Sequence, residues 1–227
     1  MKAGVVVFPG SNCDRDMKVA LQSLGVDVTM LWHKETTLPK LDLIVLPGGF
    51  SYGDYLRCGS MAAHSNLMRE IKKFADTGGY VLGVCNGFQI LTEAQLLPGA
   101  LMRNKNLKFI CKDIYLKPEN SDTVFTKRFK EKKSAKVSIA HADGNYFVQE
   151  DGLKALNDNA QIAFKYSNVS GETTDDANPN GSLGNIAGVF NKKKNVLGMM
   201  PHPERHCDYM TGGTDGRLVF ESLISSI

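Results

Sequence analysis

GGYVLGVCNGFQ, residues 78–89, places a cysteine between a short apolar run and the start of a helical pattern. Gly78 and Gly79 close the helical spacing of Leu67, Ile71 and Phe74, and Tyr80 to Val84 reads as a buried strand. Cys85 follows at once, inside Gly83-Val84-Cys85-Asn86-Gly87. G-x-C-x-G is the sulfur counterpart of the G-x-S-x-G elbow, in which small neighbours let a strained strand-to-helix turn expose a nucleophile above a parallel sheet. A thiolate there would face the free N–H groups and the positive end of a helix. The opposing reading is packing, because free cysteine is among the most buried residue types.

Working outward, the same punctuation recurs. Ala3 to Phe8 is a β-branched run stopped by Pro9-Gly10, and a helix should follow, capped by Ser11 or Asn12, with Met17, Ala20, Leu21 and Leu24 inward and Gly25 as its stop. Val26 to Trp32 and Leu43 to Leu46 read as strands, the second ending in Pro47-Gly48-Gly49-Phe50. After Cys85 a helix buries Phe88, Ile90, Leu91 and Ala94 until Leu97-Pro98-Gly99. Strands at Phe109 to Leu116, Ala135 to Ala140 and Ile162 to Tyr166 are expected next. A hairpin of Ile186 to Asn191 and Asn195 to Met200 and an amphipathic helix from Asp215 to Ser225 complete the pattern. The expected fold is α/β: a doubly wound, mostly parallel, flavodoxin-like sheet flanked by helices, with additional antiparallel strands in the C-terminal half, as one domain over 1–227. Ser51 to Ser65, SYGDYLRCGSMAAHS, falls where such sheets bind ligands, and the Gly/Asn/Pro/Asp-rich stretch Thr173 to Gly184 is expected to be mobile.

With 22% charged residues and a net charge of +3 over 227 residues, the composition is that of a globular protein and gives no case for nucleic acid. The basic run Lys127 to Lys136 reads as a solvated loop or a partner-facing surface rather than as a nucleic-acid site. No apolar stretch approaches the ~18 residues of a membrane span. Five cysteines without a C-x-x-C pair point to a reducing compartment. No membrane association is expected, and the cytoplasm is the expected location.

A thiol nucleophile needs a base, and a base needs a group that fixes its tautomer. Of five histidines, His33 and His64 lie in polar contexts that suggest surface placement. His202 lies in Met200-Pro201-His202-Pro203-Glu204-Arg205, directly after an apolar strand. Extended spacing would put His202 and Glu204 on one side, so the carboxylate orients the imidazole. Ligation of a metal by His202, His206 and Cys207 is the competing reading, disfavoured because helical ligation would need Pro203 in a first turn and no second ligand pair appears. No metal is expected. Oxyanion donors would be the Asn86 N–H and one from Gly48-Gly49-Phe50, a pair of glycines that equally well serves only a turn.

With GVCNGFQ, PGGF and PHPER in this order, the chain resembles the class I (triad) glutamine amidotransferases. The strings PGGFSYGDYLRCG, LLPGALMRNKNLKFICK, GNIAGVFNKKKNVLGMMPHPER and GGTDGRLVFESL extend the resemblance over essentially the whole chain, and they point within that family to a small glutaminase that works as a separate subunit in purine biosynthesis. The resemblance implies Cys85 as nucleophile, His202 as base and then acid, and Glu204 as the orienting carboxylate. It implies Gly49 and Asn86 as oxyanion donors, with Gln89 and His141, in His141-Ala142-Asp143-Gly144, near the L-glutamine pocket. It also implies a synthetase subunit that receives ammonia and uses ATP and magnesium, a small third subunit, and no cofactor in this chain. The absence of a G-x-x-x-x-G-K-[ST] loop agrees with this. His206 and Cys207 depart from the family wording, and a local structural role is expected for them. Two other readings share the elbow: a stand-alone cysteine hydrolase, and a non-catalytic redox-sensing or binding module.

Overall fold

The apolar runs Ala3–Val6, Leu43–Leu46 and Val81–Val84 become strands hidden on both faces, as the interior of a parallel sheet requires. The computed structural model describes residues 1–227. In chain order the elements are β1 (Lys2–Val7), α1 (Asp14–Ser23), β2 (Asp27–Trp32), β3 (Leu43–Leu46), α2 (Ser60–Ala63), α3 (Asn66–Asp76), β4 (Tyr80–Val84), α4 (Asn86–Glu93), β5 (Ala100–Met102) and β6 (Ile110–Pro118). They continue with β7 (Ala135–His141), β8 (Asn145–Phe147), α5 (Glu150–Asp158), β9 (Ile162–Ser167), β10 (Ile186–Phe190), β11 (Val196–Met199) and α6 (Arg217–Ile224).

Nine strands form one sheet in the order β2-β1-β3-β4-β11-β10-β9-β6-β7. The β2-β1-β3-β4-β11 part is parallel, the order of flavodoxin-like folds. From β11 outward every pairing is antiparallel, so the expected division between the halves holds. All four residues of β3 and all four of β11 are buried, consistent with helices covering both faces. The strands β5 and β8 pair separately as a short ribbon.

Local details differ from expectation. Neither Ser11 nor Asn12 caps α1. Cys13 occupies that position without a side-chain cap bond, while Ser11 Oγ accepts from the Phe8 N–H at 3.2 Å and so closes the preceding turn instead. The stretch Thr173 to Gly184, expected to be mobile, is fastened: Asn180 and Ser182 are buried, and Asn180 Nδ2 donates to Gly144 O at 2.8 Å and to the Tyr166 hydroxyl at 3.1 Å.

The elbow depends on Gly87. A Cβ there would come 1.9 Å from the carbonyl oxygen of Leu46, a main-chain atom that cannot turn aside. Gly87→Ala is therefore expected to push α4 off β3 and cost about 3 kcal/mol. A chemical-denaturation midpoint equal to wild type would show that the helix absorbs the methyl group.

Candidate active site

The strands β3, β4 and β11 are neighbours, so their C-terminal ends deliver Gly48-Gly49, Cys85 and His202 side by side, at the ~4.8 Å spacing of paired strands. Cys85 sits in the middle. Its backbone has φ 51 and ψ −106, a region that non-glycine residues avoid and that is occupied where surroundings over-determine it. The Cys85 N–H donates to Met199 O at 2.8 Å, and the Sγ donates to the carbonyl of Ala140 at 3.7 Å, with the His202 ring beside it.

The His202 main chain is held from the antiparallel half, its N–H donating to Ser138 O at 2.8 Å. Its imidazole Nδ1 pairs with Glu204 Oε1 at 2.7 Å, both side chains buried. The expected pairing is present, but the geometry is not extended: Pro203–His206 forms a single 3-10 turn that folds the carboxylate back onto the ring. The Nε2 atom is buried without a partner inside the chain. Burial alone would push His202 down. The charge of Glu204, with the Cys85 and Cys13 thiols beside the ring, overrides that and holds the imidazole well above its usual value. Gly48 makes room for the ring, since a Cβ there would meet His202 Cε1 at 2.6 Å.

The N–H groups of Gly49 and Asn86 donate no hydrogen bond within the protein, as oxyanion donors should. The side chain of Asn86 has a different task. Its Oδ1 accepts from the Ser51 N–H at 3.1 Å, and its Nδ2 donates to Asp54 Oδ1 at 3.2 Å and to Gln89 Oε1 at 2.9 Å. Gln89 Nε2 donates to Asp143 O at 2.7 Å. Gln89 thus ties the first turn of α4 to the 141–144 loop. His141 Nδ1 lies 3.1 Å from Asn104 Oδ1 and its Nε2 3.4 Å from Asn180 Nδ2, and burial, then the charge of His202, pushes it down to about 4. It is neutral at ordinary pH and braces the pocket wall.

Gly49, Asp54, Cys85, Gln89, His141 and Asp143 share one pocket with about 30 Å³ of free volume. It is a narrow cleft directly above the Cys85 thiol.

Several neighbours were not singled out from sequence. Cys13 Sγ accepts from Arg205 Nη2 at 3.1 Å and lies within 4.8 Å of donor atoms of His202 and Glu204. His33, expected at the surface, is buried and pairs its Nδ1 with the Tyr52 hydroxyl. Burial, then Lys34, pushes His33 down, leaving the nitrogen free to accept and pin the 51–54 turn. His64 is exposed as expected. The alternative metal set is not assembled: His206 Nε2 pairs with Asp113 Oδ1 at 3.4 Å, and Cys207 Sγ donates to Pro203 O at 3.3 Å, its thiol pushed up to about 12 by burial.

A family model for the CobB/CobQ-like glutamine amidotransferase domain matches residues 1–214, so sheet and sequence together define a glutamine amidotransferase. The chain is 57% identical over 227 residues, all of both chains, to phosphoribosylformylglycinamidine synthase subunit PurQ of Pelagibacter ubique. To the subunit of the same name from Moorella thermoacetica it is 53% identical over 225 residues, covering 99% of this chain and 95% of the other. A chain in the solved structure of PurLQS from Thermotoga maritima superposes with a TM-score of 0.88 at 43% identity, covering 99% of this chain and 97% of that one. The chain belongs to this PurQ family of glutamine amidotransferases.

Proposed function

We propose that this chain is the glutaminase component of a phosphoribosylformylglycinamidine synthase, acting as one unit over its whole length. The observation that carries the reading is the buried His202–Glu204 pair, at 2.7 Å, with its free Nε2 beside the Cys85 thiol. His202 takes the Cys85 proton, and the sulfur attacks the side-chain amide carbon of L-glutamine. The oxyanion that forms is met by the N–H groups of Gly49 and Asn86. The C–N bond breaks as His202 returns the proton to departing ammonia, leaving a Cys85 thioester. Water, losing a proton to His202, cleaves the thioester to glutamate and restores the thiol. Glu204 keeps the imidazole oriented throughout. Gln89 and His141 shape the glutamine pocket rather than exchange protons.

Ammonia passes to a separate synthetase subunit, which uses ATP and magnesium to make formylglycinamidine ribonucleotide, in a complex that includes a small third subunit. The cytoplasm, where purine synthesis takes place, is the location that fits. A diazoketone analogue of glutamine is expected to label Cys85 at one equivalent, slowly in the free chain and rapidly in the complex. An active complex that remains unlabelled, or is labelled elsewhere, would refute the assignment.

A further inference from the structure

The pocket around Cys85 contains two carboxylates, Asp54 and Asp143, and no cation. Neither lysine nor arginine reaches its wall, and His141 is uncharged there. Arg57, close in sequence, turns outward onto Glu93 at 2.7 Å. The Cys58 thiol touches both carboxylates, and burial and their charges push it far above its usual range. Asp54 is raised too, first by burial and also by the charge of Asp143.

The Asp54 carboxylate and the main chain that carries Asp143 are held relative to the nucleophile. Asn86 Nδ2 holds Asp54 Oδ1 at 3.2 Å, and Gln89 Nε2 holds the Asp143 main chain at 2.7 Å, so each is tied to the first turn after Cys85. Cys85 is only 5% exposed and lines the same pocket, and the Gly49 N–H at its wall donates to nothing in the chain. The reacting end of a ligand is thereby placed. Two like charges left together without a counter-ion are costly, and the neutral Asn86 amide and Cys58 thiol beside them do not cancel that charge. A ligand with a cationic group would.

L-Glutamine has one such group. We infer that Asp54 and Asp143 bind the α-ammonium group of L-glutamine, and so select the free amino acid over amides that lack that charge. This rests on Cys85 being the glutaminase nucleophile. An amide bearing the carboxylate but no ammonium brings only a repelled charge to this end of the pocket, and a peptide-bound glutamine with an acylated nitrogen loses the ion pair.

The test compares L-glutamine with glutaramate, the same amide without the amino group, on the assembled enzyme. Asp54→Asn and Asp143→Asn are each expected to lower kcat/KM for L-glutamine by about 30- to 100-fold, mainly through KM, because a charged ligand group loses its partner. The loss on glutaramate should be much smaller, so the preference between the two amides collapses. Equal losses on both substrates would reduce the carboxylates to structural groups and overturn the inference. Normal wild-type turnover with an unchanged preference in both variants would sink this inference alone. A wild-type complex that leaves glutamine intact would sink the reading of Cys85 and this inference with it.

Discussion

Cys85→Ala is expected to abolish glutamine-dependent synthesis by the assembled enzyme while ammonia-dependent synthesis continues. The thiol is the only nucleophile lining the pocket that stands next to an unpartnered imidazole nitrogen. Cys58 lines the same pocket, but burial and two adjacent carboxylates keep it protonated. Cys13 touches the His202 side of the site but does not line the pocket. No neighbour can therefore substitute for the lost sulfur, and the fall should reach at least about 10⁴-fold in glutaminase kcat. The side chain is small and the strained backbone at φ 51 is held by the Cys85 N–H bond to Met199 O, so alanine should preserve the elbow. Measuring both nitrogen sources on one preparation separates the outcomes. Loss of ammonia-dependent synthesis as well would mean that the residue maintains the complex rather than the chemistry.

The parallel half was legible because its signals are local. Runs such as Leu43 to Leu46 hide on both faces and end in glycine or proline, and the structure ends β3 at the expected residue. The ribbon of β5 and β8 was not legible, since two three-residue strands are too short to show a period. Helix α5 was missed for a related reason: it buries only Leu156 of its nine residues and so has almost no inward stripe. Site residues divide in the same way. Cys85, His202 and Glu204 carry local context, an elbow and a proline-bounded turn. His33 was misplaced because its partner, Tyr52, arrives from 19 positions away and gives no signal near the histidine itself. Asp54 and Asp143 meet only because the Ser51–Asp54 turn and the loop after β7 converge on α4. Carboxylates in loops ordinarily read as solvated.

His202→Ala is expected to lower glutaminase turnover by about 10³-fold, within the range for removal of a general base, and Glu204→Ala to lower it less, because the base remains while its orientation is lost. Stability should show the same asymmetry. Removing His202 strands a carboxylate whose side chain is fully buried and whose Oε2 already has no partner, at a cost of about 3 kcal/mol. Removing Glu204 strands an imidazole, which burial then drives to its neutral form. The pH dependence follows from the raised His202. Its folded value lies above the unfolded value of about 6.5, so the pair's contribution is fully present below about pH 6.5 and fades as pH rises through the folded value. Urea midpoints of wild type and Glu204→Ala should therefore differ most below about pH 6.5 and converge as pH rises through the raised folded value of His202. A gap that widens with pH would mean that Glu204 does not hold the imidazole in its charged form. In that case Glu204 would act on His202 through orientation alone.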